Sequence, residues 1–465
     1  MWDLGDTKGA EVMENKHYQY KRIFMFWASI CFVAAQTAMF AWQWYNIYAD
    51  IMLVKYYRRG DWAIVGLYAL FCILFLKIFG GFKVGYLRNM DALYGQALAI
   101  IFQNAVAYLQ LSLLGLWKFG THLEHFVYLV LVEAVLAVAW TLLTRHFYAK
   151  LYPPHQMLLI YGDISPRHLI SKLDSRQDRY QIRETIRLDA GMDAILEKIK
   201  EYDTIIIGDI PSHERNQFLK FCYWHEIRCY SIPKISDIII TGSDRIDLFD
   251  SILMLSRNNG LSIGERFFKR LMDIVLSLIA CILLSPIMLV IVIAIKAYDH
   301  GPVFYTQERI TEDARPFQII KFRSMIVESE EDGARLAKAD DDRITPVGRI
   351  LRRTHFDELP QLFNILKGDM SIVGPRPERR EIFEQYEESI PEFKFRLKMK
   401  AGLTGYAQVY GQYNTVPYDK LKLDLTYIEH YSLWLDIKLC FLTVKILFQK
   451  EKSEGVDGNQ TTALK

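Results

Sequence analysis

From Ile23 to Tyr48 the chain reads IFMFWASICFVAAQTAMFAWQWYNIY, 26 residues without one charged side chain. At about 1.5 Å of rise per residue, a helix of this length crosses a hydrocarbon core of about 30 Å, which excludes a purely water-soluble fold for this end of the chain. Trp62 to Phe79, Leu98 to Trp117 and Phe126 to Leu143 follow, each close to the roughly 20 residues a span requires. Four spans are expected, with Gln36 and Gln43 as polar flaws in the first. That first run is too long for the apolar part of a signal peptide and lacks a small-residue cleavage site, so it is expected to stay in the mature protein. Glu133 lies inside the fourth span, where a charge is costly and normally has a reason, and no basic residue sits at a matching depth.

The flanking charges orient the spans. An inside N-terminus puts Lys8, Lys16, Lys21, Arg22, Lys83, Arg88, Arg145 and Lys150 in the cytoplasm, against Lys55, Arg58, Arg59 and Lys118 outside. Eight against four places everything after residue 145 in the cytoplasm. Across all 465 residues, 56 Lys and Arg against 54 Asp and Glu leave a net charge of +2. This balance argues against nucleic acid as a partner, because a phosphate-binding surface normally brings a basic excess. With 51% apolar residues, general disorder is excluded as well. The six cysteines are scattered, with neither a CxxC pair nor zinc-ligand spacing, which fits a reducing compartment.

After Pro153 and Pro154 the pattern becomes that of an α/β unit. MLLIYGD (157–163), TIIIGDIP (204–211) and IRCYSIP (227–233) read as strands, and AILEKIKEY reads as a helix. A parallel, Rossmann-like sheet is expected. The first strand is followed by Tyr161-Gly162-Asp163-Ile164-Ser165 instead of GxGxxG, so a structural or regulatory role is expected over nucleotide binding.

A basic cluster, Arg266, Lys269 and Arg270, then precedes an apolar run from Ile274 to Ile295 that is interrupted at Ser285-Pro286. By length this is a fifth span. Alternatively, proline bends the helix, and the run enters and leaves on one face as a helix-break-helix, with the Ser285 hydroxyl serving the freed carbonyl. Parity favours the re-entrant course, which keeps the charged residues 300–465 in the cytoplasm.

Those residues carry the chemistry. In FQIIKFRSM (317–325), period-two alternation presents Lys321 and Arg323 on one face, suited to a phosphate. The charged stretch from Glu328 to Arg343 reads as a solvated surface. Next, LRRTHFDELPQLFN (351–364) puts Asp357 and Glu358 side by side at a helix start, where acidic residues also complement the helix dipole. The functional reading makes Asp357 a nucleophile toward phosphorus and Glu358 a ligand for a divalent cation, with adjacent arginines adding charge. KGDMSIVGPRP (367–377) holds Arg376 between two prolines, a rigid setting for a phosphate-binding guanidinium. GLTGYAQV (402–409) is another glycine-punctuated loop. Leu433 to Lys450 reads either as an interfacial amphipathic helix or as a core helix.

KFRSM, DELPQLFNILKGDMSIVGPRP and AGLTGYAQVYG, in that order after a Ser-Pro-interrupted apolar helix, resemble the catalytic domain of the bacterial monotopic phosphoglycosyl transferases. The likeness covers roughly residues 264–449, and the preceding spans and α/β module resemble the long subgroup that initiates exopolysaccharide, capsule or O-antigen synthesis. The resemblance implies transfer of a sugar 1-phosphate from a UDP-sugar to undecaprenyl phosphate with release of UMP, by a ping-pong route through a phosphosugar-aspartyl intermediate. By motif match, Asp357 is the nucleophile and Glu358 the Mg²⁺ ligand. Lys321 and Arg376 are candidates for positioning the pair and the substrate phosphates, and Arg352 and Arg353 are lesser candidates beside Arg323. The resemblance also implies a bacterial inner membrane location, with lipid around the re-entrant segment.

Three departures stand out. Relatives often have RxGxxGxPF where this chain has RITEDARPF (309–317), which replaces both glycines. Gln412 follows Gly411 where many relatives carry Arg, and His355 replaces a commoner small polar residue. The expected architecture is a membrane α-helical bundle (1–152), an α/β Rossmann-like module (153–257), a linker with a re-entrant membrane helix (258–300) and an α+β monotopic catalytic domain (301–465). A homodimer through the membrane and middle regions is expected. Competing classes are a non-catalytic membrane scaffold or sensor, a polytopic transporter, and an enzyme of direct glycosyl transfer that releases UDP. No single residue selects glucose, galactose or an N-acetylated sugar.

Overall fold

The computed structural model describes residues 20–52, 59–116, 118, 120–163, 165–174, 176–256, 260–326, 343–411 and 415–447. Outside them lie Lys8, Lys16, Lys55 and Arg58 of the orientation count, the acidic stretch 328–342, Gln412 and residues 448–450. The chain divides into two compact units, residues 1–232 and 233–465.

In the first unit α1 (Lys21–Gln43) continues through a π-helical turn (Trp44–Tyr48) into the short α2 (Ala49–Ile51), and α3 (Gly60–Phe79), α4 (Asn89–Leu114) and α5 (Leu123–Leu151) follow. The four expected spans are therefore four helices long and apolar enough to cross a membrane. Trp27, Trp62, Leu113 and Leu131 are exposed on their outer faces, while the polar flaws turn inward. Gln36 Oε1 accepts from Cys72 Sγ (2.9 Å), and Gln43 Nε2 donates to the His125 carbonyl (3.0 Å). Fully buried Glu133 accepts from Tyr68 OH at Oε1 (2.5 Å) and from Asn104 Nδ2 (2.6 Å) and Gln103 Nε2 (3.2 Å) at Oε2. Neutral donors from α3 and α4 thus stand where a basic partner was sought, tying three helices together in a region that offers no water.

The same unit holds β1 (His155–Tyr161), α6 (Arg167–Asp174), β2 (Tyr180–Arg187), α7 (Met192–Ile199), β3 (Thr204–Ile207), α8 (Ser212–Trp224) and β4 (Arg228–Ser231). The sheet order is β2-β1-β3-β4 with every pair parallel. Leu158 and Ile160 pack with Ile195 and Phe218, whereas Met157 and Leu159 pack with Leu169 and Leu173. Both faces are covered, which explains the unbroken apolar run in β1.

The second unit opens with α9 (Ile235–Thr241) and the antiparallel hairpin of β5 (Asp244–Leu248) and β6 (Ser251–Leu255). Residues from 233 onward, grouped from sequence with the middle module, belong here, and Ile235 and Ile238 pack in one core with Phe393 and Leu421. The 37-residue α10 (Ile263–Asp299) starts from a Ser262–Glu265 capping box and runs uninterrupted through Pro286. The expected helix-break-helix is one continuous element. Ser285 Oγ donates to the Ile282 carbonyl (2.8 Å), the group that Pro286 has no N–H to serve. Lys269, Asp273 and Ser277 form a buried stripe near the start of α10, whereas Leu283, Leu289 and Val290 are exposed further along.

Beyond α10, β7 (Phe304–Ile310) pairs antiparallel with β8 (Pro316–Phe322). Then come α11 (Pro346–Thr354), α12 (Gln361–Lys367), β9 (Ser371–Val373), α13 (Arg380–Ser389), β10 (Gly402–Thr404), α14 (Tyr406–Tyr410), α15 (Pro417–Glu429) and α16 (Leu433–Leu447). Strand β10 lies parallel to β9. Helix α16 buries Asp436 and Leu439 in the core and leaves Trp434 exposed.

Candidate active site

Asp357 and Glu358 do not begin a helix as expected. They lie in a single 3-10 turn (Phe356–Glu358) between α11 and α12. His355 ends α11 in the left-handed region (φ 56°), and Pro360, which lacks an N–H, precedes α12. The two carboxylates therefore sit at a corner between helices.

Their surroundings differ. Lys321 Nζ, from β8, and Arg376 Nη2, from the loop after β9, both donate to Glu358 Oε1, at 2.7 and 2.8 Å. Burial alone would raise the Glu358 pKa, but the charges of Arg376 and Lys321 outweigh it and hold the carboxyl well below its ordinary range. Asp357 is only 8% exposed and accepts no hydrogen bond from the described residues. Burial raises its pKa against the pull of Lys321, and the Glu358 charge adds to the rise. Arg352 and His355 also oppose that rise, and Arg352 Nη1 is buried without a partner among the described residues. Arg353 is exposed on α11.

Arg323 departs from its expected place beside Lys321. It follows the end of β8, and its guanidinium pairs with Asp299 at the end of α10 through Nη1 to Oδ2 (2.8 Å) and through Nη2 to Oδ1. That bidentate pair ties strand to helix instead of facing the acid pair. Ser285 and Pro286 lie within α10, as described above.

Several residues were not read from sequence as positioning groups, Lys269 having been noted only in the basic cluster before the apolar run. Asn364 of α12 accepts from Ile320 N (3.0 Å) and donates to the Gln318 carbonyl (2.7 Å), acting as an extra rung beside the strand that carries Lys321. Arg396 Nη2 donates to the Arg376 carbonyl (2.9 Å). Lys269 Nζ donates to Asp436 Oδ2 (2.7 Å), Tyr427 OH (3.1 Å) and the Val373 carbonyl (2.9 Å). Asp273 Oδ1 accepts from Ser371 Oγ and Ile372 N, both at 3.0 Å. Start-of-helix charges of α10 thus hold β9 and the loop that follows it. Gly374 and Gly402 let that loop touch the next glycine-punctuated one: a Cβ on Gly374 would stand 2.2 Å from the Lys400 carbonyl oxygen, and one on Gly402 2.1 Å from the Gly374 nitrogen. In the altered RITEDARPF turn, Asp313 (φ 57°) and Ala314 (φ 58°) take left-handed backbone; Ala314 stands where relatives often place glycine.

The donor set suits a hard divalent cation. Glu358 Oε2 and both Asp357 oxygens accept no hydrogen bond from the described residues, and carboxylate oxygens are the ligands Mg²⁺ prefers.

Residues 264–450 match the family described as Bacterial sugar transferase. The chain is 34% identical over 331 residues to the UDP-N-acetylgalactosamine-undecaprenyl-phosphate N-acetylgalactosaminephosphotransferase of Aeromonas hydrophila, covering 68% of this chain and 73% of that protein. It is 32% identical over 374 residues to the undecaprenyl-phosphate galactose phosphotransferase of Salmonella typhimurium, covering 72% and 76%. To the UDP-glucose:undecaprenyl-phosphate glucose-1-phosphate transferase of Klebsiella pneumoniae it is 40% identical over 247 residues, about half of each chain at 52% and 51%. The protein is a transferase. It belongs to the bacterial sugar transferase family, as the motifs KFRSM, DELPQLFN and GPRP led one to expect.

Proposed function

We propose that this chain transfers a sugar 1-phosphate from a UDP-sugar to undecaprenyl phosphate, giving undecaprenyl-diphosphate-sugar and UMP. The observation that carries the reading is a buried, unpartnered carboxylate, Asp357, beside a carboxylate, Glu358, that is saturated at one oxygen by two cations. An Asp357 oxygen attacks the sugar-bearing phosphorus, the bond to the bridging oxygen breaks, and UMP leaves with that electron pair. The phosphate oxygen of undecaprenyl phosphate then attacks the same phosphorus and frees Asp357. Lys321 and Arg376 hold Glu358 ionised and oriented, and the Arg352 charge acts on Asp357 from α11. Mg²⁺ held at Glu358 supplies neutralisation of the phosphate oxygens.

The family names support donor and acceptor as classes, and the particular sugar is open. In this reading α10, one uninterrupted helix tied to the rest of its unit through Lys269 near its start and Asp299 at its end, lays its apolar middle into the cytoplasmic face of the inner membrane, so that a lipid phosphate and a soluble nucleotide meet at one interface. The exposed apolar surface around Leu283 and Leu289 and the Ser285–Ile282 bond beside Pro286 support that course. The all-parallel order of β2-β1-β3-β4 supports a Rossmann-like middle module.

The test is incubation of detergent-solubilised protein with Mg²⁺, undecaprenyl phosphate and a panel of UDP-sugars, with nucleotide products resolved. UMP release that needs Mg²⁺ and vanishes in Asp357→Asn is the expected result. UDP release would overturn it in favour of direct glycosyl transfer, and lipid product formed by Asp357→Asn at the full rate would remove the covalent intermediate.

A further inference from the structure

At the opposite end of α5 from the parallel sheet, the first residues of the helix gather three metal-capable side chains: His122, Glu124 and His125. One ligand atom from each lies within 4.8 Å of the others, and His125 Nε2 stands 3.7 Å from Glu124 Oε1. The two imidazoles face each other at 6.4 Å between centroids and 15° between planes. Their scaffold is braced from three sides. Tyr108 OH accepts from Gly120 N (2.8 Å) and donates to the Thr121 carbonyl (3.1 Å), which fixes the turn leading to His122. Gln43 Nε2 holds the His125 carbonyl, and the Tyr48 ring meets the His125 ring edge-on at 6.2 Å.

A Glu124–His125 ion pair engages two of these groups at the solvent-facing start of α5. Two imidazole nitrogens and one carboxylate oxygen together form the donor set of a three-ligand zinc site, with water as the fourth ligand. Magnesium and calcium, which prefer oxygen, are poorly served by it. Around a tetrahedral ion with bonds of about 2.1 Å, donor atoms stand about 3.4 Å apart. The longest separation here closes to that value by side-chain rotation, for which there is room: the His125 and Glu124 side chains are 35% and 69% exposed. Glu124 also offsets the positive end of the α5 dipole, which would otherwise oppose a cation.

We propose that His122, Glu124 and His125 bind one first-row divalent cation of the zinc type, fastening the turn between α4 and α5 to the start of α5. The site lies on the side that the lysine and arginine bias assigns to the exterior, and it is independent of the acid pair.

The experiment uses the full chain without a histidine tag, solubilised in detergent and stripped with EDTA. Zn²⁺ titration by calorimetry measures stoichiometry and affinity, and Co²⁺ substitution gives a visible ligand-field spectrum for the same site. The expected result is one Zn²⁺ per chain, undisturbed by millimolar Mg²⁺. In His125→Ala and in Glu124→Gln the affinity should fall by at least the roughly tenfold that loss of even an outer-shell partner costs. Elution profile and circular dichroism verify that these variants, altered at solvent-facing side chains, remain folded. Mg²⁺-dependent nucleotide release should be unchanged in both, which separates this site from the acid pair. A wild-type chain that takes up no Zn²⁺, or one whose affinity survives both substitutions, overturns the proposal.

Discussion

Glu133 and Asp357 are both carboxylates buried in protein, one in the helical part of the first unit and the other in the second. Every hydrogen bond around Glu133 is with a neutral donor, and both of its oxygens are served. Around Asp357 the charges are strong and no described residue donates a hydrogen bond: Lys321 and Arg376 engage Glu358 instead. Burial alone therefore does not separate scaffolding from chemistry. A satisfied acid resists disturbance and holds helices together, whereas one whose oxygens meet no donor among the described residues is left available for the proposed attack on phosphorus.

The widest test of this contrast is Asp357→Asn. It should lower nucleotide release by about a thousandfold or more, as loss of a nucleophile does. Its melting temperature should stay level or rise, because a neutral amide costs less to bury than the carboxylate. A marked fall in melting temperature would place Asp357 with Glu133 among the structural acids.

Glu378 supplies an acid of the satisfied kind close to the site. Burial would raise its pKa, but Lys420 and Arg396 outweigh that and bring it down to about 2. A depressed carboxylate stabilises the fold above its unfolded pKa, and that contribution is lost as pH falls from about 4.5 toward 2; the ceiling is about 3 kcal/mol. Thermal melts between pH 6 and pH 3 should show a stability loss that is shallower in Glu378→Gln, and equal slopes in the two proteins would refute the assignment.

In the first unit, Glu133→Ala should cost about 1–3 kcal/mol by stranding the donors of Tyr68, Gln103 and Asn104. Glu133→Gln, which preserves the shape and one acceptor, should recover much of the loss. Turnover per folded molecule should remain within about twofold of wild type, since the residue touches nothing reactive. Nucleotide release per folded molecule that falls as far as in Asp357→Asn would break the contrast from the other side. The smallest effect concerns Ala314. Replacing it with glycine relieves a left-handed backbone strain of about 1 kcal/mol and gives back part of that in chain entropy, so a gain of about 0.5 kcal/mol is expected in denaturant unfolding.

Local pattern announced much of this architecture. Apolar length exposed the four N-terminal helices, and short apolar runs exposed β1 and β3, because each of those signals is carried by contiguous residues. Strand β2 (YQIRETIR) escaped notice, since it pairs on one side only and its polar residues mimic a surface segment. The acid pair and its two cations were legible through motif resemblance, yet nothing local showed that Arg323 would turn to Asp299. That contact is set by where α10 ends relative to β8, as are the reaches of Lys269 to Asp436 and of Asn364 to the β8 backbone. In the apolar N-terminal helices, Gln36, Gln43 and Glu133 were visible as flaws. Their pairing depends on helix rotation, which one chain read in order does not display.

The backbone contact between Gly374 and Gly402 has a consequence for how such an enzyme diversifies. With main chain against main chain, neither position has a flexible group that could yield to a new side chain, so even the smallest replacement must shift the loop that presents Arg376. The main chain that carries the arginine is thus held as a fixed template, and adjustment at this point of the site is left to the side chains around the loop.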